Sequence, residues 1–283
     1  MHGIHTALVT PFTSGGGLDL PAYERLCARQ IDGGIHGLVA CGTTGESPTL
    51  ADEEWSAVVE ATRRVAAGRV PVTAGIGTNC TRTSVDKARA AKELGADAGL
   101  LVFPYYNKPN PAGLRAHIQQ VAAVGLPLVL YHVPGRTAQT LPVALLAELA
   151  AYEGVVAVKE ATGDLRYGGD LIAKIATPVL SGDDFTFLSL LALGGTGCIS
   201  VLSNVAPSQT VAIYDRFCAG DVQEAMLGMG RLWDLVGFLF SDTNPVPCKA
   251  ALAELGLCGP DPRLPLAPWS GPSPRALLDA ALG

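Results

Sequence analysis

Short apolar runs rich in β-branched residues recur along most of the chain, near Ile4–Val9, Gly37–Cys41, Pro71–Ile76, Ala98–Phe103, Pro127–Val133, Val155–Lys159, Pro178–Ser181 and Cys198–Val201. Runs with so few polar interruptions predict strands buried on both faces. Helical patterns lie between most of them, as at Leu20–Asp32, Asp52–Ala67, Thr83–Leu94, Gly113–Val124, Pro142–Ala150 and Phe185–Leu193. Gly or Pro marks most joins, for example Asp32-Gly33-Gly34 and Gly125-Leu126-Pro127. Strand–helix alternation means a parallel sheet, because each crossover carries the chain back to the end where the next strand starts. Eight such units, roughly 20–35 residues apart, fit a closed (β/α)8 barrel, the TIM barrel. A doubly wound open sheet competes, but no Gly-x-Gly-x-x-Gly follows the first strand. Beyond Asp221 the pattern is helical and broken by Pro260, Pro262, Pro265 and Pro268. The expected division is a barrel catalytic domain over residues 1–220 and a C-terminal helical domain over 221–283.

A barrel gathers its chemistry at the carboxyl ends of the strands. At the end of Val155-Val156-Ala157-Val158 stands Lys159, followed by Glu160. A desolvated lysine loses its preference for the ammonium form, and its pKa can fall from about 10.4 toward roughly 7–8. The resulting amine forms Schiff bases with carbonyl compounds. Taken alone, the string reads equally as a Lys159–Glu160 surface pair. The other strand ends carry Cys41–Ser47, Pro104–Asn107, Tyr131–Thr137 and Ser181–Asp184. Gly42-Thr43-Thr44-Gly45 offers backbone N–H groups and two hydroxyls to an anion, or forms a plain turn. Tyr105, Tyr106 and Tyr131 are core aromatics or phenolic proton carriers. Arg136 suits a carboxylate if it is not simply solvated. Asp183-Asp184 lacks His or Glu at metal-ligand spacing and reads as a solvated turn or helix N-cap. His132 alternates with Tyr131 and so faces the other way, which argues against a role as base.

Composition narrows the class. Hydrophobic residues make up 48% and charged residues 16% of the 283 residues, against about 25% charged in ordinary soluble domains. Such a surface predicts a homo-oligomer. The net charge of −6, without a basic stripe, excludes nucleic acid as a partner. No apolar run reaches membrane-spanning length, and Met1–His5 lacks a signal-peptide layout, so no membrane association is expected. Seven cysteines, odd in number and without Cys-x-x-Cys, fit reduced thiols in a cytoplasmic protein.

Together these motifs resemble the dihydrodipicolinate synthase / N-acetylneuraminate lyase family of class I, Schiff-base aldolases. The resemblance runs from Ala7-Leu8-Val9-Thr10-Pro11-Phe12 to about Leu257, with Asn244-Pro245-Val246-Pro247-Cys248-Lys249 as its last motif. It implies that Lys159 is the Schiff-base lysine and Tyr131 the general acid/base. Thr43 is then the hydroxyl linking Tyr131 to Tyr106, the latter supplied by a neighbouring subunit. Thr44 would clamp the carboxylate of pyruvate, and backbone groups at Gly182 and Ile199 would line the same pocket. Arg136 marks the synthase branch, because the sugar-acid lyases lack it. The paired threonines and the Asn244–Lys249 segment also look synthase-like. The expected lyase condenses pyruvate with L-aspartate 4-semialdehyde in lysine and diaminopimelate biosynthesis. A pyruvate-dependent N-acetylneuraminate or 2-keto-3-deoxy sugar-acid lyase is the alternative. No metal or cofactor is expected beyond the covalent imine, and the assembly would be a homotetramer, a dimer of dimers.

Two departures stand out. His132 occupies a position where the family commonly has Asn, which implies a change of packing. Ser47, Asn79 and Tyr105 resemble an allosteric lysine site, but Asp52, Trp55 and Thr83 stand where lysine-sensitive members carry His, His and Glu. Without that Glu the inhibitor's amine loses an anionic partner. Titration with L-lysine is therefore expected to leave activity essentially intact, and strong inhibition at sub-millimolar lysine would refute this.

Overall fold

All eight apolar runs form strands in the computed structural model, which describes residues 1–283. They are β1 Gly3–Ala7, β2 Gly37–Ala40, β3 Val72–Gly75, β4 Ala98–Val102, β5 Leu128–His132, β6 Val155–Glu160, β7 Val179–Ser181 and β8 Gly197–Ser200. The sheet is a closed barrel in the order β1 to β8. This is the expected (β/α)8 architecture, with additional helices at the C-terminus.

The ladder between β5 and β6 is irregular in an informative way. Leu128 pairs with Val155, but Val129 pairs with Ala157, so Val156 is an extra residue on β6. The expectation that this strand is buried on both faces fails there, since Val156 is 39% exposed. A bulge of this kind shifts the register by one residue, and in a strand one residue exchanges the two faces. Downstream of the bulge, Tyr131 pairs with Lys159 and His132 with Glu160.

The expected helices form with small shifts at their ends. Leu20–Asp32 begins where the Asp19 side chain accepts from the Ala22 N–H at 3.0 Å, a helix N-cap bond. A helix that the sequence pattern does not announce spans Leu165–Ile172. Gly168 and Gly169 weaken its propensity, but Asp164 caps it by accepting from the Arg166 and Tyr167 N–H groups. Gly168 also lets it lie close to the helix Phe187–Ala192: a Cβ there would stand 2.6 Å from Leu190 Cδ1.

The chain packs as two compact units, one of Met1–His2 and Thr73–Ile199, the other of Gly3–Val72 and Ser200–Gly283. The first holds Lys159, Tyr131, Arg136 and the Tyr105-Tyr106 loop. The second holds the Thr43-Thr44 loop together with helices Pro207–Cys218, Val222–Leu239, Val246–Glu254 and Arg275–Leu282. Within the second unit, Asn204 secures the end of β1 by donating to Ala7 O at 2.8 Å and accepting from the Val9 N–H at 3.2 Å. No helix is long and apolar enough to cross a membrane.

Trp55, on helix Asp52–Ala66, is 1% exposed and among the largest fully buried side chains. Truncating a buried aromatic removes transfer free energy and leaves a cavity. Trp55→Ala is expected to lower stability by about 3–5 kcal/mol in urea denaturation, and a change below about 1 kcal/mol would contradict this packing.

Candidate active site

Lys159 is the fifth residue of β6 and only 5% exposed. Its ladder partners are Tyr131 on β5 and Leu180 on β7. In-register residues of parallel strands point the same way, and the Lys159 Nζ lies 4.2 Å from the centre of the Tyr131 ring. Glu160 takes the opposite face. A Cβ on Gly168 would lie 3.5 Å from its carboxylate, which places Glu160 beneath helix Leu165–Ile172. There Glu160 Oε1 accepts from the Thr162 N–H at 2.7 Å, and burial raises the carboxyl pKa. The surface-pair reading of Lys159–Glu160 therefore fails: both residues are buried, on opposite faces of one strand.

Gly182, just past β7, lies against the lysine stem. A Cβ at this position would stand 2.7 Å from Lys159 Cε and 3.0 Å from Cγ. Only a residue without a side chain lets the backbone pass here. Ile199 is fully buried on β8.

His132 behaves as its strand position predicts. It is wholly buried, its ring lying 5.9 Å from that of Phe103 and 5.4 Å from that of Tyr167. Neither ring nitrogen meets a hydrogen-bond partner. Burial pulls its pKa down to about 4, so the ring is neutral at pH 7. Asp183 and Asp184 depart from the solvated-turn reading. Asp183 Oδ1 accepts from the Phe185 N–H at 2.8 Å, as a turn residue would, but Asp184 is 1% exposed. Burial raises the Asp183 pKa against that hydrogen bond and the opposing pull of the Lys159 charge.

The remaining candidates of this unit lie on loops. Tyr106 is 88% exposed and holds a left-handed backbone with φ 71°. Asn107 ties the loop after β4 to the loop after β3, donating to Asn79 O at 2.7 Å, so Tyr105 and Asn79 belong to adjoining loops. Arg136 stands exposed on the short helix Pro134–Thr137. In the second unit Thr44 is 2% exposed, and its Oγ1 accepts from Asn244 Nδ2 at 2.8 Å. Thr43 and Ser47 are half-buried in the same loop. No three His, Cys, Asp or Glu side chains converge as a metal-binding group.

The family model of the Dihydrodipicolinate synthetase family matches residues 1–280. The chain belongs to this family. It is similar to the 4-hydroxy-tetrahydrodipicolinate synthase of Magnetococcus marinus, 45% identical over 271 residues, covering 95% of this chain and 92% of that one. The structure is similar to the chloride-inhibited dihydrodipicolinate synthase from Acinetobacter baumannii complexed with pyruvate. That match has a TM-score of 0.94 and 42% identity, covering 99% of this chain and 97% of the other. It is also similar to the Cyanidioschyzon merolae enzyme with lysine bound, with a TM-score of 0.94, 35% identity and coverage of 99% and 96%.

Reasoning from sequence passed over three charged residues around the threonine loop of this family member. Glu46, Lys249 and Arg263 meet in the second unit, although Glu46 and Arg263 are 217 residues apart. Lys249 was visible as the end of the Asn244–Lys249 motif and as a lone charge in the otherwise apolar segment Val246–Leu252, but without a role. Arg263, between prolines, left no trace.

The folded pKa of His132, about 4, lies below its unfolded value of about 6.5. Between those values the unfolded chain binds the extra proton. The contribution of this residue is therefore full above about pH 6.5 and is lost as the pH falls toward 4. Burial depresses His117 to about 4 as well, and it adds to the same slope. His132→Asn is expected to reduce the drop in urea midpoint between pH 7.5 and 5.0 while leaving kcat at pH 8 within about 3-fold. An unchanged pH slope, or a collapse of kcat, would refute this assignment.

Proposed function

We infer that this chain is a 4-hydroxy-tetrahydrodipicolinate synthase, a lyase that condenses pyruvate with L-aspartate 4-semialdehyde through a lysine Schiff base. The observation that carries the reading is the buried Lys159 amine, in register with Tyr131 and 4.2 Å from its ring, in a chain 45% identical to a synthase of that name. A buried amine beside a phenol combines a nucleophile with a proton carrier, the two parts that imine chemistry needs.

In this reading the Lys159 amine adds to the keto carbon of pyruvate and loses water to give a protonated imine. That imine accepts electrons from the neighbouring C–H bond, so a methyl proton leaves and an enamine forms. Tyr131 carries the protons. The enamine carbon attacks the aldehyde of the semialdehyde, whose carboxylate Arg136 receives. The semialdehyde amine then displaces Lys159, the ring closes and the enzyme is regenerated. Thr44 takes the pyruvate carboxylate, and backbone at Gly182 and Ile199 walls the site. Thr43 links Tyr131 to Tyr106 of a neighbouring subunit. The 88% exposure of Tyr106 and its left-handed backbone support a residue held out for another chain, because such backbone costs about 1–3 kcal/mol in a non-glycine residue. A homotetramer, a dimer of dimers, completes the reading. Ser47, Asn79 and Tyr105 remain the candidate effector site, with the loss of sensitivity to lysine reasoned above.

A coupled assay should show turnover of pyruvate with aspartate semialdehyde and little with pyruvate and N-acetylmannosamine or glyceraldehyde. The reverse preference would select the lyase alternative. Arg136→Ala is expected to lower kcat/KM for the semialdehyde roughly 10- to 100-fold, matching the 1.5–3 kcal/mol of a charge-assisted hydrogen bond. Borohydride trapping of pyruvate on Lys159 should survive that substitution, and its absence in the unmodified protein would overturn the reading.

A further inference from the structure

The loop Cys41–Ser47 is held from one side by the C-terminal part of the chain. Its backbone turns through two left-handed non-glycine residues, Cys41 at φ 53° and Glu46 at φ 54°. Such residues persist only when their surroundings over-determine them. Around Glu46 they do. Its carboxylate is 3% exposed by residue, with Oε1 2.5 Å from Lys249 Nζ and Oε2 accepting from the Arg263 N–H at 2.8 Å. Lys249 is fully buried, donates to Asp261 O at 3.0 Å and lies 4.1 Å from the centre of the Phe12 ring. The Arg263 guanidinium covers the same ring at 4.2 Å and grips Glu54 with two nitrogens at 2.5 and 2.6 Å.

The remaining loop contacts complete the arrangement. Gly45 O accepts from Thr10 Oγ1 at 2.8 Å, and a Cβ on Gly45 would come within 3.2 Å of Cys41 and Leu8 backbone. Asn244, five positions before Lys249, donates to the Thr44 hydroxyl oxygen. That hydroxyl's own hydrogen then remains to be donated onward, which suits a carboxylate acceptor. Two side chains from one short C-terminal segment thus fix the loop at both Thr44 and Glu46.

We propose that Lys249 is a positioning residue which, by pairing with Glu46 in the protein interior, holds the Thr43-Thr44 loop in the conformation that binds the carboxylate of the keto acid. The proposal rests on the synthase reading for the identity of that acid. Removing one partner of a buried pair leaves the other uncompensated, so the loop should loosen while Lys159 and Tyr131, on other strands, keep their chemistry.

The test uses Lys249→Met, which keeps the length of the side chain and removes its charge. Borohydride trapping on Lys159 across a pyruvate series should show half-saturation raised at least 10-fold, with the trapped yield at saturation close to that of the unmodified enzyme. In steady state, KM for pyruvate should rise alike, while kcat and KM for the semialdehyde change less than about 3-fold. The double variant Glu46→Gln/Lys249→Met leaves no lone buried charge and guards against misfolding of the single variant. It should show the same selective rise. Half-saturation within 2-fold of the unmodified enzyme in either folded variant, or an equal loss toward both substrates, overturns the proposal. If the unmodified enzyme traps no pyruvate, the synthase reading fails and the proposal with it. If it traps pyruvate normally and the variants do too, the positioning role alone fails.

Discussion

The meeting of Lys159 with Tyr131 depends on which way one strand faces. β6 carries Lys159 and Glu160 side by side, and consecutive strand residues point to opposite sides. Had β6 continued the register begun at Leu128 and Val155, Lys159 would stand opposite His132 and Glu160 would turn toward Tyr131. The extra residue at Val156 prevents this and brings amine and phenol onto one rung. Gly182 follows from the same placement, because a lysine stem turned to that side leaves no room for a Cβ on the neighbouring loop. His132 follows too: with Tyr131 committed to one face, the imidazole is left among Phe103 and Tyr167, without a partner for either nitrogen.

Much of this was legible in the order of residues, and the rest was hidden for physical reasons. Parallel strands buried on both faces leave unbroken apolar runs, so the barrel could be read directly. Lys159 could be singled out because a charge at the end of such a run is costly. The bulge could not, since Val156 differs in no way from the valines beside it and is set apart only by its ladder. Helix Leu165–Ile172 was obscured by its two glycines, which serve close packing at the expense of propensity. Asp184 looked like part of a solvated turn because burial of a short loop depends on what covers it. The partners of Glu46 were out of reach for the same reason.

Buried charge is used in two contrasting ways. Lys159 sits beside an aromatic ring, that of Tyr131 on the neighbouring strand. Lys249 also sits over an aromatic ring, Phe12, but with a carboxylate against it. The first arrangement places the Lys159 nitrogen 4.2 Å from the centre of the Tyr131 ring. The second commits the ammonium to an ion pair and a backbone carbonyl, and burial works against its charge while Glu46 works for it. In the proposed reading, one residue type in two environments serves as reagent and as fastening.

The fastening also has a temporal side. Thr44 and its partner Asn244 are 200 residues apart, and Glu46 and Arg263 are 217 apart. A ribosome delivers about 5–20 residues each second, so the Cys41–Ser47 loop emerges roughly ten seconds or more before the residues that secure it. Throughout that interval the loop lacks the contacts that hold its left-handed turn, and the Glu46 carboxylate lacks its partners. The final form of this loop is thus deferred to the last stage of synthesis, and a chain interrupted before its final segment would carry Lys159 without the contacts that fix the Thr43-Thr44 loop.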